Sequence, residues 1–474
     1  MHLSLNKFLQ PNFPHKSVLS LSNAIVGASV LSMPYCFQQC GIILATVLMV
    51  VCGILTSYSC KILIASAQAT HSTTYEYLSL RVLGRTMKVI VELSSIGLLC
   101  GSIVAYQMIV GDLGSVIISQ IFDVTNSPVI RACVMLVLTC TISFPLSLSE
   151  RFDHLTPISI QSIIFYLLFC IYTFAQIWLS PGMATFDVDK LVYWRWTGLF
   201  VSLPIVSLSF SCQTMLFVVY TELSDSTSHA INDIIDLSVT LVGFIYFIVG
   251  LFGYTIFSSL NEYIPGNIMQ IYPKDLIQQI FLWGFVFNCT TGIPFMVNPT
   301  RRSLFTLWND RVQSNLCKYL YKTISLTFQQ QQSLFGECHL IPRQLFVILT
   351  AVIVFTSTFM AICIPNLEFA LALTGATSGQ LICYILPAII TLYALPHGID
   401  IFKTKLLMIL GIVSLVICTI MTFEKEILEN TPMLLSTIKT SSLSSTSELT
   451  DECLFRTYQQ YIRPNDTCAL RGNH

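Results

Sequence analysis

The chain has 474 residues, of which 54% are hydrophobic and only 10% charged, whereas a soluble domain carries about 25% charged residues. With a mean hydropathy of +0.71, a water-soluble globule is excluded, and an all-α, multi-pass protein of the lipid bilayer is expected. The formal net charge of −1 and the scattered Lys and Arg leave no basic stripe for nucleic acid.

Eleven runs are long and apolar enough to span a hydrocarbon core about 30 Å thick. They cover 17–36, 41–65, 89–121, 129–148, 157–179, 197–220, 237–257, 276–299, 344–363, 371–394 and 402–422. None alternates with period two, so a barrel is not supported. Lys7 and Lys16 precede the first run, but that run holds Asn23 and another run follows at once. It therefore reads as a retained first span rather than a cleaved signal. Of the 24 Lys and Arg, fifteen fall in alternate loops shared with the N-terminus and four in the opposite loops. The N-terminal segment 1–16 is therefore expected in the cytosol and the tail 423–474 outside.

The first run, KSVLSLSNAIVGASVLSMPY, carries Asn23, Gly27, Ser29, Ser32 and Pro34 where a plain anchor would carry Leu and Val. Polar and helix-breaking residues at membrane depth are costly unless the freed backbone lines a cavity or is buried in protein. A discontinuous helix is expected, with its break between Val26 and Ser29. The bland alternative is an ordinary helix whose small residues admit a close neighbour. In the third run, Glu92 and Asp112 lie about 30 Å apart along a helix and belong at opposite interfaces. Gly97, Gly101 and Ala105 form a small-residue packing face there, echoed by Gly375 and Gly379 in the tenth run.

The sixth run, TGLFVSLPIVSLSFSCQTMLFVVYTEL, repeats the theme with Pro204, Ser207, Ser209, Ser211 and Gln213 in mid-span. It lies five spans after the first, an odd number, so the two enter from opposite sides. That predicts an inverted repeat of residues 17–179 and 197–394, with the broken helices meeting at the midplane and 402–422 as an extra helix. The basic, glutamine-rich stretch 300–343 reads as a cytosolic connector, and the Ser/Thr-rich tail from 423 as poorly ordered. The tail holds a glycosylation sequon at Asn465. Asn288-Cys289-Thr290 also fits the pattern, but inside a span. The 17 cysteines sit mostly in apolar runs and form neither a metal spacing nor a disulfide framework. There is no metalloprotease helix, Walker loop or nucleophile elbow, so an enzyme is not expected, and no filter motif suggests a channel.

The segments SNAIVGASVLSMPYCFQQCGI (22–42), GDLGS (111–115), SFSCQTMLFVVYTEL (209–223), GIPFMVNPTR (292–301) and IPNLEFALALTGATSGQLICYILPA (364–388) resemble the amino acid/auxin permease family. The similarity extends from residue 17 to about 394. It implies a LeuT-like fold with eleven spans, an amino acid as substrate and, in many members, a coupled sodium ion. It also implies that Asn23 faces sodium and that the backbone at Gly27, Ala28 and Ser29 holds the substrate carboxylate; a helix broken there can add carbonyls near Val26 to the ion site. Carbonyls near Ser207, Ser209 and Phe210 are expected to take the amino group, with Phe210 either capping the site or serving as core. Two departures stand out. Ser29 occupies the place of a second glycine in the first break. Gly292 stands where many relatives carry a sodium-site threonine, with Thr290 and Thr291 just before it. Thr291 lies about 100° around the helix from that position, and both hydroxyls are able to bond back to their own helix. The chain ends soon after its last span, where a close relative carries a long extension.

No Asp, Glu, Lys or Arg occurs between Ser17 and Tyr35 or between Gly198 and Tyr220. A charged side chain would find no partner there, so the expected substrate is a neutral L-amino acid such as glutamine, alanine or serine. The alternatives are a membrane sensor that binds an amino acid without moving it, and an uncoupled exchanger. No cofactor is expected beyond Na+ as a possible coupled ion. The sequence does not distinguish the plasma membrane from an organelle membrane.

Overall fold

The computed structural model of the chain describes residues 14–125, 127–149, 156–179, 191–223, 230–258, 264–272, 275–320, 343–364, 366–396 and 400–441. Among these residues the secondary structure is helical throughout. The elements, in chain order, are α1 (His15–Val26), α2 (Met33–Cys40), α3 (Ile42–Ala69), α4 (Tyr75–Leu83), α5 (Arg85–Phe122), α6 (Pro128–Ser147), α7 (Thr156–Leu179), α8 (Leu199–Ser209), α9 (Gln213–Glu222), α10 (Ile231–Ser258), α11 (Leu276–Leu320), α12 (Arg343–Cys363), α13 (Leu367–Ala394) and α14 (Ile401–Ser441). Ten helices qualify as membrane spans by length and composition, with α8 and α9 counted as one. The bent pair of α1 with Ala28–Cys40 makes an eleventh. The chain is one compact unit through Thr422, and a second unit begins at Phe423.

Helices five spans apart pack against each other. The third span (α5) lies along the eighth (α11), the second (α3) against the seventh (α10), and the fourth (α6) against the ninth (α12). Between the two broken spans, α8 meets α2 while α9 meets α1, so these spans run antiparallel and touch at their breaks. An antiparallel meeting of the two broken spans is what a five-plus-five inverted repeat with α14 as the added helix requires.

Small residues let these helices approach. A Cβ on Gly97 would run into Ser378, one on Gly101 into Thr374, and one on Gly375 into the Pro204 carbonyl. Gly97, Gly101 and Gly375 are thus packing devices, as their spacing predicts, whereas a Cβ on Gly379 would come no nearer to another helix than Leu208 at 3.8 Å. Outward faces remain apolar and exposed, as at Ile54, Ile171, Phe359 and Ile420, which suits acyl chains rather than water. Glu92 and Asp112 sit in different surroundings: Glu92 accepts from Thr306 at 2.6 Å, and Asp112 pairs with Arg131 at 2.5 Å.

Three features differ from the sequence reading. The short helix α4 was not expected; its N-cap Thr74 accepts from the Tyr77 amide at 3.2 Å, a local signal inside a polar loop. The connector predicted from residue 300 begins as helix, because α11 continues to Leu320. Arg301 on that extension is buried and donates to the Ser147 carbonyl at 3.1 Å and to Thr350 at 2.8 Å. Residues 423–441, read as poorly ordered, are helical. Asn465 and residues 321–342 lie outside the described residues.

Candidate functional site

The first break falls at Gly27, with φ 39° and ψ −153°, a conformation that glycine adopts readily and other residues only with strain. A 3-10 turn, Ala28–Ser32, follows, and the two halves of the span meet at 50°. Pro34 does not make the break. It sits in the first turn of α2, where its missing N–H costs nothing.

Three tyrosines from three other spans surround this break. The Tyr166 hydroxyl on α7 donates to the Gly27 carbonyl at 3.4 Å. The Tyr106 hydroxyl on α5 lies 3.0 Å from where a Gly27 Cβ would be. The Tyr246 hydroxyl on α10 lies 2.9 Å from the carbonyl oxygens of both Ile25 and Val26 and 3.1 Å from the Ser29 hydroxyl.

The sixth span opens at Phe210–Cys212, between α8 and α9, six residues beyond Pro204, which stays within α8. The Ser209 carbonyl ends α8 and lies 3.0 Å from the same Tyr246 hydroxyl. The two breaks are therefore joined at one atom. Ser29, Val26 and Ser209 gather around it, with Gly27 and Ala28 next to them in the chain. Ala28, Ser29 and Ser209 are all buried. The Phe210 ring is core: it meets Tyr246 edge-on at 5.5 Å and lies beside Gly53 and Gly243. Ser209 bonds back to the Ile205 carbonyl at 2.6 Å, while the Ser207 hydroxyl accepts from Gln380 on α13 at 3.1 Å. Gln213 caps its own half-helix, accepting from the Cys212 amide at 3.1 Å and donating to the Cys383 carbonyl at 3.3 Å.

The residues expected at a sodium site are not drawn to a common point by their hydrogen bonds. Asn23 donates to Ser159 on α7 at 3.2 Å. Thr290 bonds the Val286 carbonyl at 2.5 Å, and Thr291 bonds Phe287 at 2.9 Å and Asn288 at 3.2 Å, all within α11. Gly292 faces Tyr106, whose ring would stand 2.6 Å from a Cβ there. The ring thus fills the space that a side chain at 292 would enter.

Sequence reasoning found both breaks and missed the tyrosines that close them. A usable signal exists: Tyr106, Tyr166 and Tyr246 are isolated mid-span tyrosines, and a buried phenol usually finds a hydrogen-bond partner.

Comparison with known proteins follows the same lines. The family described as transmembrane amino acid transporter protein matches residues 14–425. A Xenopus laevis protein provisionally named sodium-coupled neutral amino acid transporter 10 is 34% identical over 374 residues, covering 79% of this chain and 34% of its own length. Human solute carrier family 38 member 10 is 32% identical over 409 residues, covering 86% of this chain and 34% of its own length. The chain thus spans about a third of the length of these relatives. Among solved structures, a Na+-coupled sialic acid symporter is similar at a TM-score of 0.45 and 12% identity, over 87% of this chain and 90% of the symporter.

Proposed function

The chain belongs to the transmembrane amino acid transporter family, and from that premise we propose that it carries neutral L-amino acids across its membrane at the junction of its two broken spans. One observation carries the reading. Carbonyls ending α1 and α8 converge on a single buried point, within 3.0 Å of the Tyr246 hydroxyl, and no Asp, Glu, Lys or Arg occurs in either break. Half-helix C-terminal ends present partial negative charge suited to an ammonium group. The backbone N–H groups of Gly27, Ala28 and Ser29 would face the carboxylate, and the carbonyls of Ser207, Ser209 and Phe210 the amine. The substrate side chain would meet hydroxyls and apolar groups, favouring glutamine, alanine and serine over charged amino acids. The halves 17–179 and 197–394 would move against each other around this point.

The test is a flux panel with purified protein in liposomes. Uptake of glutamine, alanine and serine, with little uptake of arginine or glutamate, is the expected result. Uptake of arginine or glutamate alone would overturn the substrate class. Binding of neutral amino acids without flux would make the protein a sensor.

Sodium coupling is a separate proposal, which the name of the Xenopus relative favours. Asn23, the Val26 carbonyl, Thr290 and Thr291 would supply the oxygens, which requires the threonine hydroxyls to turn away from their own helix. Replacing sodium by choline should then collapse concentrative uptake.

A further inference from the structure

The Tyr246 hydroxyl occupies an unusual place for a phenol. Three carbonyl oxygens, from Ile25, Val26 and Ser209, lie within 3.0 Å of it, and the Ser29 hydroxyl lies at 3.1 Å. A phenol donates one hydrogen bond at a time, so its one proton faces three carbonyls, helped only by the Ser29 hydroxyl, which lies at a long 3.4 Å from the Val26 carbonyl. All three belong to the last turns of two half-helices, where backbone carbonyls lack intrahelical partners and carry the negative end of the helix dipole. The focus is therefore richer in acceptors, and more negative, than a neutral hydroxyl can satisfy. A primary ammonium brings three N–H donors and a positive charge, which matches it better.

We propose that the Tyr246 hydroxyl is a built-in stand-in for the ammonium group of the transported amino acid. It holds the ends of α1 and α8 together while the site is free, and it yields the carbonyls when an amine arrives. The proposal rests on the reading above that this junction takes an amino acid, and it adds the residue that the substrate must displace. The ring has a neighbour able to give way. It packs edge-on against Phe210, beside which stand Gly53 and Gly243, where an added Cβ would come into contact with the Phe210 ring at 3.7 to 3.9 Å. No larger side chain at these two positions pins Phe210.

Tyr246→Phe keeps the ring and removes the hydroxyl. Thermal melting of the purified full chain should show a lower Tm for the substrate-free variant than for the wild type. Saturating L-glutamine should close most of that gap, and the Kd for glutamine should tighten by about threefold or more, since no hydroxyl has to be displaced. A gap that persists at saturating glutamine would reduce Tyr246 to a structural bond. A loosened Kd would make it a direct substrate contact. Closure of the gap by sodium chloride but not choline chloride, without any amino acid, would assign the focus to an ion. Each of these outcomes overturns the proposal. A wild-type protein whose Tm responds to no neutral amino acid would instead overturn the underlying reading of the site. If Tyr246→Phe does not fold, the wild type decides alone. Glutamine binding should give a near-ultraviolet tyrosine difference spectrum as the phenol changes partners, and a flat spectrum would refute displacement.

Discussion

The two breaks solve the same problem by different means. At the first, the backbone itself turns through a glycine with φ 39°, and the exposed carbonyls are met by hydroxyls from α7 and α10. At the sixth, no residue takes a positive φ. There the span's own Gln213 accepts from the Cys212 amide, while the Ser209 carbonyl that ends α8 shares the Tyr246 hydroxyl with the first break. A bent glycine hinge held by distant hydroxyls can exchange those partners for a ligand without unfolding either half-helix. The sixth break shares one of those exchangeable hydroxyls through its Ser209 carbonyl, but its α9 end is tied down by its own Gln213. We infer that the first break is the one that moves and that the α9 end of the sixth is the anchor.

The largest effect is expected from Gly27→Ala. A non-glycine residue in that backbone conformation costs about 1–3 kcal/mol, and the added Cβ meets the Tyr106 hydroxyl at 3.0 Å. Glutamine uptake in liposomes should fall by about tenfold or more, with the protein still monodisperse. Wild-type uptake would show that the hinge does not depend on the glycine.

Next in size is Gly292→Thr, which places a hydroxyl at the position where the family resemblance implies a sodium-site threonine. Its Cβ would stand 2.6 Å from the Tyr106 ring, and overpacking of this kind costs about 1–3 kcal/mol. Tm should fall. Tyr106→Leu in the same chain should recover part of the loss, with a coupling of about 1 kcal/mol. Strict additivity would mean that the ring does not fill this space.

These positions show what the sequence makes legible. Breaks announce themselves, because Asn23, Gly27 and Ser29 are expensive in a bilayer unless the backbone there is irregular. The glycines of α5 and α13 are legible for a similar reason: their four-residue spacing has few uses besides close packing. The tyrosines that complete the first break are not. Tyr246 acts on backbone atoms more than 200 residues away in sequence, and a phenol in an apolar run looks like core until its hydroxyl is followed. The helical continuation of α11 past residue 299 was hidden because a polar, basic helix leaving the membrane has the composition of a loop.

The anchoring role of the sixth break is tested by Gln213→Leu. The substitution removes the cap on the Cys212 amide and the bond to the Cys383 carbonyl at once. Leaving buried groups unpaired costs about 1–3 kcal/mol. Tm should drop while the Kd for glutamine changes less than twofold, since the cap touches no substrate. A large change in Kd with an unchanged Tm would reverse the roles of the two breaks.

The smallest effect is expected at the threonines of α11, and it bears on whether the first break also serves an ion. Thr290 holds one short bond to its own helix at 2.5 Å, whereas Thr291 divides its hydroxyl between two carbonyls at 2.9 and 3.2 Å. Back-bonding of this kind contributes little to stability, so either threonine changed to valine should alter Tm only slightly, by less than about 0.5 kcal/mol in stability terms. Thr291 has the weaker hold and is the easier of the two to recruit. If sodium is carried between α1 and α11, Thr291→Val should raise the sodium concentration for half-maximal glutamine uptake by about threefold, with Thr290→Val near wild type. Asn23→Ala should remove the dependence altogether. Equal and unaltered sodium curves for all three variants would leave the hinge at Gly27 as a substrate site alone, with Tyr106 filling the space beside Gly292.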